Sequence, residues 1–468
     1  MIDPQPAPQT QVVASQAESR IQLARRWPGK SVGAAVVLAG LTLLVIGLQF
    51  SYLRTVSTSI PHQDEWMLLD AMFQSFDSNN VVGWLFHSRN GHFGLTGKLS
   101  YLLSLQFFSL DLAPLRFLNF PVCLLGLVLS ARVVMQHVSQ PAIRWCVISG
   151  AALLLFNLCM WEHFSQGSAF ATILAAVIGG AGLYYVVRAL YAERARIKNL
   201  TVAFVWIIFA ILSFGIGYAA LAAAFALVTL WLSKRLIGTQ PVGWSRPAIL
   251  GAAAVAATLA LLSHPLLNLG LPLRGYLYHF LLVAGAIWAS PFENPPLAQK
   301  IAYICGLAVF SVSLYALADF VTSDRRRAEG FRAFGIAIIL FGLGACAAVA
   351  AARPGLPEQE FLSSRYTLQT SIAALGLLFY FATKSRVLLG QLWSFVAIGY
   401  LFATVEEWQT GPFRPAVYES IEATVRRIET VPDAELASSL YWNEDLAPIR
   451  RVATRLERDR LNVFRNDR

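Results

Sequence analysis

Four groups of polar residues interrupt a sequence that is otherwise mostly hydrocarbon. The densest begins at Pro61-His62-Gln63-Asp64-Glu65-Trp66 and continues at His87-Ser88-Arg89-Asn90-Gly91-His92. A carboxylate at a membrane boundary can orient and deprotonate a hydroxyl, and partial desolvation raises its basicity; Asp64 and its neighbour Glu65 are the candidates. Asp64 also suits the N-cap of a helix starting near Trp66, and Glu65 suits a solvent-facing first-turn acid. Arg89 offers a planar fork for phosphate, and His87 and His92 can donate to phosphate or carry protons. The competing reading of that stretch is a solvated loop. Asp64, His62 and His92 are also ligand types for a divalent ion, without a metal-motif spacing.

Trp161-Glu162-His163 with Gln166 follows. An acid and a histidine beside uncharged helices are expensive unless they face a cavity, so Glu162 and His163 are expected to line the same site. An interfacial Trp belt with polar neighbours is the alternative. Last come Arg353 and Ser363-Ser364-Arg365-Tyr366, with Glu358 and Glu360 between them. Arg365 and Tyr366 at the mouth of a helix suit a lipid phosphate; an internal ion pair with Glu358 or Glu360 is the other reading.

The elements that must position these residues are apolar. Of 468 residues 56% are hydrophobic and 14% charged, against about a quarter charged in soluble domains, which marks an all-α polytopic membrane bundle. The formal charge of +10 falls in short basic clusters between apolar runs. Cytoplasmic loops look like that, and nucleic-acid surfaces with interleaved stacking aromatics do not. Cys123, Cys146, Cys159, Cys305 and Cys346 lie in apolar runs without CxxC spacing, as packing residues do.

Residues 1–30 read as a disordered cytoplasmic N-terminus. The uncharged run 31–53 is too long for a signal-peptide core and reads as a signal anchor. The first outer loop, 54–114, has an apolar stripe at Trp66, Leu69, Met72, Phe73 and Phe76, and a second apolar piece over 95–110; both predict helices in the interface plane. Further spans are expected at 115–137, 142–160, 168–187, 247–263, 298–321, 333–352, 366–383 and 387–405. The run 199–233 is too long for one crossing, so Gly215-Ile216-Gly217 should break it in two, giving eleven spans. Segment 275–292 is expected to be re-entrant or interfacial. The loops thereby placed inside carry most of the Lys and Arg, Arg325-Arg326-Arg327 included. Residues 406–468 are expected to be a small helical domain outside the membrane.

An Asp-Glu motif in an outer loop after the first span, interfacial helices in that loop, a second acidic outer loop and many spans together resemble the GT-C superfamily of integral-membrane glycosyltransferases. The resemblance is architectural over about residues 1–405 and local only at Asp64-Glu65. It implies a polyprenyl-phosphate sugar as donor, with a hydroxyl acceptor on a glycan, lipid or cell-envelope polymer. It further implies a bacterial inner-membrane enzyme with its site facing outward. By that resemblance Asp64 matches the catalytic carboxylate, Glu65 its partner, Glu162 a second-loop acid and Arg365 a donor-phosphate contact; a divalent metal stays open. No Gly-rich phosphate loop precedes a helix, so no nucleotide-sugar site is expected. Two rivals remain: an O-antigen ligase or polymerase, which would favour outer-loop arginines and histidines, and a lipid or glycan transporter, which would place charges at the midplane.

Overall fold

The structure, a computed structural model, describes residues 28–88, 92–167, 169–191, 195–237, 273–292, 294–323, 329–353, 356–440 and 445–465. Among these the elements are all helices. They are α1 (Pro28–Val56), α2 (Asp64–Asp77), α3 (Val81–Phe86), α4 (Leu95–Phe108), α5 (Ala113–Phe117), α6 (Asn119–His137), α7 (Pro141–Leu155), α8 (Trp161–Ser165), α9 (Phe170–Tyr191) and α10 (Arg196–Ser213). After them come α11 (Ile216–Ile237), α12 (Leu273–Ala289), α13 (Pro295–Thr322), α14 (Glu329–Ala352), α15 (Thr367–Ala382), α16 (Arg386–Thr410), α17 (Arg414–Val425), α18 (Asp433–Leu440) and α19 (Ala447–Arg458).

Nine helical stretches among the described residues are long and apolar enough to cross a membrane. They match nine of the eleven expected spans. Of the other two, 247–263 lies outside the described residues, and 366–383 is α15, whose 16 residues are almost all buried. The break at Gly215 is real: Phe214 is extended between α10 and α11. Segment 275–292 is buried over its second half. It forms α12, enclosed along α13 with Leu281 to Ala289 buried. The two backbones approach so closely that a Cβ on Gly285 would stand 1.9 Å from the Ala302 carbonyl oxygen, and one on Gly306 1.9 Å from that of Leu281. Small residues permit this contact where lipid supplies no hydrophobic drive.

The first loop and the tail share one hydrophobic core. Trp66, Leu69, Met72 and Phe73 of α2 are buried with Ile421 and Val425 of α17 and Ile449, Val452 and Leu456 of α19. The tail is helical, as expected, and its apolar face packs against the first loop. Asp70 receives Arg451 in a fork at 3.0 and 2.8 Å, and Asp77 receives Arg455 at 3.0 Å. Asn462 donates its backbone N–H to the Ser109 carbonyl at 2.8 Å and its amide to those of Leu110 and Ser59. It thereby satisfies the left-handed turn at Ser109 and Leu110. Helix α4 spans about 21 Å, too short to cross a core of about 30 Å. Its Leu99, Leu103 and Phe107 point outward while Lys98, Tyr101 and Ser104 are buried.

Candidate active site

Three segments converge: the start of α2, the α8 turn with Gln166 and Gly167, and the 3-10 turns Glu358–Leu362 and Ser364–Tyr366 before α15. Gln63 is the N-cap of α2 at φ 46° and ψ −119°, a backbone conformation non-glycine residues rarely adopt. The Gln166 amide donates to its side chain at 3.1 Å. Asp64 is therefore the first residue of the helix rather than its cap. Its carboxylate is exposed, with no hydrogen-bond partner among the described residues.

Glu65 turns the other way and is 1% exposed. One carboxylate oxygen accepts the Tyr101 hydroxyl and the Gly167 N–H at 2.6 Å; the other accepts the His62 N–H at 2.7 Å and lies 3.4 Å from Arg116. Arg116 also donates to the Thr58 and Ile60 carbonyls. The expectation of Glu65 as a solvent-facing acid is corrected. Successive residues of a helix point about 100° apart, and this one is consumed in joining α2 to α4, α5 and the α8 turn.

Glu162 is also buried and committed. Its Oε2 accepts the Ser363 hydroxyl at 2.5 Å, the Ser364 hydroxyl at 2.7 Å and the Arg365 N–H at 2.8 Å. His163 Nε2 lies 3.0 Å from the Arg365 carbonyl, which can only accept, so the proton sits on Nε2. Together the two residues clamp the backbone of Arg365.

Arg365 pairs with Glu360 at 2.9 Å, the ion pair the sequence left open. Burial works against its charge, but Tyr366, Glu162, Glu360 and Asp64 outweigh that and hold the guanidinium above its ordinary range. Asp64 and Arg365 are thus within Coulombic reach. Arg353 and Arg365 lie over the Tyr366 ring, 5.6 and 5.3 Å from its centre. Among the described residues the Tyr366 hydroxyl and Arg365 Nε are buried without partners, and burial pushes the phenol up, so it stays a neutral donor. Two guanidinium groups around one phenol are an arrangement that can bind an anion.

His92 stacks on Phe214 at 4.5 Å and lies where any side chain at Gly215 would stand. Burial first, then the charge of Arg353, lowers its pKa to about 4. Burial, with Arg116, brings His62 to about 4 as well; its ring meets Tyr418 edge-on. No group of three or more His, Cys, Asp or Glu able to hold a metal occurs among the described residues, so Asp64, His62 and His92 do not form the ligand set the sequence allowed. Arg89 lies outside the described residues.

Sequence reasoning missed Lys98, whose ammonium caps the Trp84 and His87 carbonyls at 2.7 and 2.6 Å and so fixes the end of α3. It also missed Tyr101 and Arg116. The signal was the polar spacing Lys98, Tyr101, Ser104 within an apolar run, one face of a helix.

No family model matches the chain, and no curated protein does. Among solved structures it is similar to ArnT from Cupriavidus metallidurans bound to undecaprenyl phosphate, at 15% identity and a TM-score of 0.44, over 92% of this chain and 89% of that one. At that identity and TM-score the likeness carries no conclusion about what this chain does.

Proposed function

We propose that the chain is a membrane glycosyltransferase of GT-C type, moving a sugar from a polyprenyl-phosphate donor to a hydroxyl acceptor at the outer face of a bacterial inner membrane. The observation that carries this reading is the contrast among three acids. Glu65 and Glu162 are spent on internal bonds, while Asp64 has no hydrogen-bond partner among the described residues and stands within reach of the Arg365–Tyr366–Arg353 cluster. Displacement at an anomeric carbon needs these two functions side by side. A base takes the acceptor proton as the new C–O bond forms, and a cationic pocket stabilises the departing lipid phosphate. Asp64 fills the first role. Arg353, Arg365 and the Tyr366 hydroxyl fill the second, with His92 as a neutral neighbour.

The experiment is binding of a polyprenyl phosphate to the purified chain, followed by transfer from a labelled polyprenyl-phosphate sugar. Arg353→Ala and Arg365→Ala should each weaken binding by about 1.5–3 kcal/mol, the scale of a hydrogen bond to a charged group. Arg365 should give the smaller loss, because Glu360 already holds it. Unchanged affinity in both variants would remove the donor from this cluster.

A further inference from the structure

We propose that the chain carries a second lipid site at the opposite membrane face: an anionic glycerophospholipid with its phosphate on Arg132 and Arg188 and one acyl chain in a groove between α6, α9, α14 and α15. A cavity of about 190 Å³ lies between these helices. One end is at Leu368 and Ser371, just after Tyr366; the other is framed by Arg132, Gln136, Tyr184 and Arg188. Helix α9 measures the separation. It begins at Phe170, close to the Gly167 amide that binds Glu65. Arg188 follows about 27 Å along the axis, comparable to a hydrocarbon core of about 30 Å.

Among the described residues the charge of Arg132 and Arg188 at that mouth is uncompensated. Nearby Lys234 and Lys384 are paired with Glu329 and Asp319 at 2.9 and 2.6 Å. Neither Arg132 nor Arg188 has a carboxylate within ion-pair distance among the described residues. Arg188 is held over Tyr184 and Tyr185 at 6.0 and 5.9 Å, and Tyr184 donates to Gln136 at 3.0 Å, which sets the wall of the mouth. Two exposed guanidinium forks on facing helices match a phosphate, and basic pockets between transmembrane helices bind anionic headgroups. Behind them the lining turns apolar, with Val133, Leu154, Val177, Ile338 and Leu375. That surface takes a hydrocarbon chain; a free phosphate would leave it bare. The inference does not depend on the donor reading, since neither arginine belongs to the Asp64–Arg365 cluster.

The test is native mass spectrometry of the full chain titrated with phosphatidylglycerol, phosphatidylcholine or undecaprenyl phosphate. Phosphatidylglycerol should bind at least about tenfold more tightly than phosphatidylcholine, as one charge-assisted contact implies. Arg132→Gln combined with Arg188→Gln should abolish that preference. Ala181→Phe, which obstructs the groove and leaves both arginines, should lower phosphatidylglycerol occupancy, with melting temperatures checking the fold of each variant. Equal binding of the two phospholipids would overturn the proposal, as would a preference that survives the double substitution. So would one-for-one displacement of phosphatidylglycerol by undecaprenyl phosphate, insensitive to the arginines, which would give the groove to the polyprenyl chain.

Discussion

A single oxygen of Glu162 holds the backbone N–H of Arg365 at 2.8 Å, together with the hydroxyls of Ser363 and Ser364. The Arg365 carbonyl is held in turn by His163. Arg365, the proposed contact to the donor phosphate, is thus fixed through its backbone.

This arrangement separates positioning from acid–base work. Glu162→Gln keeps one acceptor oxygen and should retain most transfer. Glu162→Ala leaves two hydroxyls and an amide unpaired and should lose roughly 1.5–3 kcal/mol of stability or more, with weaker polyprenyl-phosphate binding. If Gln were as inactive as Ala while folded, Glu162 would have to be a reacting acid.

Glu65 should behave as a structural anchor. Glu65→Ala strands Arg116 without its buried partner, a loss on the order of 3–5 kcal/mol, and should lower the melting temperature sharply. Glu65→Gln can still accept from Gly167 and Tyr101 and should melt closer to wild type. A Glu65→Ala protein of wild-type stability would show that the hub holds nothing.

The spans were legible because hydrocarbon demands long apolar runs, and no other physical constraint is as strong. The inward turn of Glu65 was not, because its partners Tyr101, Arg116 and Gly167 come from distant segments. The tail shows the same limit. The α2 stripe at Trp66, Leu69, Met72 and Phe73 and the apolar positions of α17 and α19 each needed a cover. Asp70 and Asp77 are separated from their partners Arg451 and Arg455 by 381 and 378 residues of chain, and only the fold brings the two charge rows together.

That shared core fixes a topology test. Cysteines placed at the exposed positions Asp77 and Glu435, in a cysteine-free background, should react with an impermeant thiol reagent from the same side of the membrane. A cysteine at Arg386, the exposed first residue of α16, should react from the other. Labelling of positions 77 and 435 from opposite sides would be incompatible with the joint core of loop and tail.

The buried histidines set a pH dependence. His62 and His92 are lowered from 6.5 to about 4, so the folded chain binds fewer protons than the unfolded chain between those values. Their contribution to stability is full above about pH 6.5 and is lost as pH falls through about 4. The melting temperature should therefore drop between pH 7.5 and 4.5, and drop less in a His62→Gln, His92→Gln double variant. Equal drops in both proteins would mean that neither histidine is held neutral by burial.

Asp64 carries the chemical prediction. It is the first residue of α2, exposed, with its carboxylate unspent, and the capping position belongs to Gln63. Asp64→Asn preserves size and leaves the Glu65 hub intact, so folding and polyprenyl-phosphate binding should be near wild type. Transfer should fall by roughly 10²–10⁴-fold, the range for removing a general base. Glu65→Gln, compared at a temperature where it is folded, should lose much less, since it has no line to the acceptor. Near-normal transfer by Asp64→Asn would leave the exposed carboxylate without a role in the reaction. His92, beside Arg353, would then be the group to test as base, although a pKa near 4 makes it a weak one.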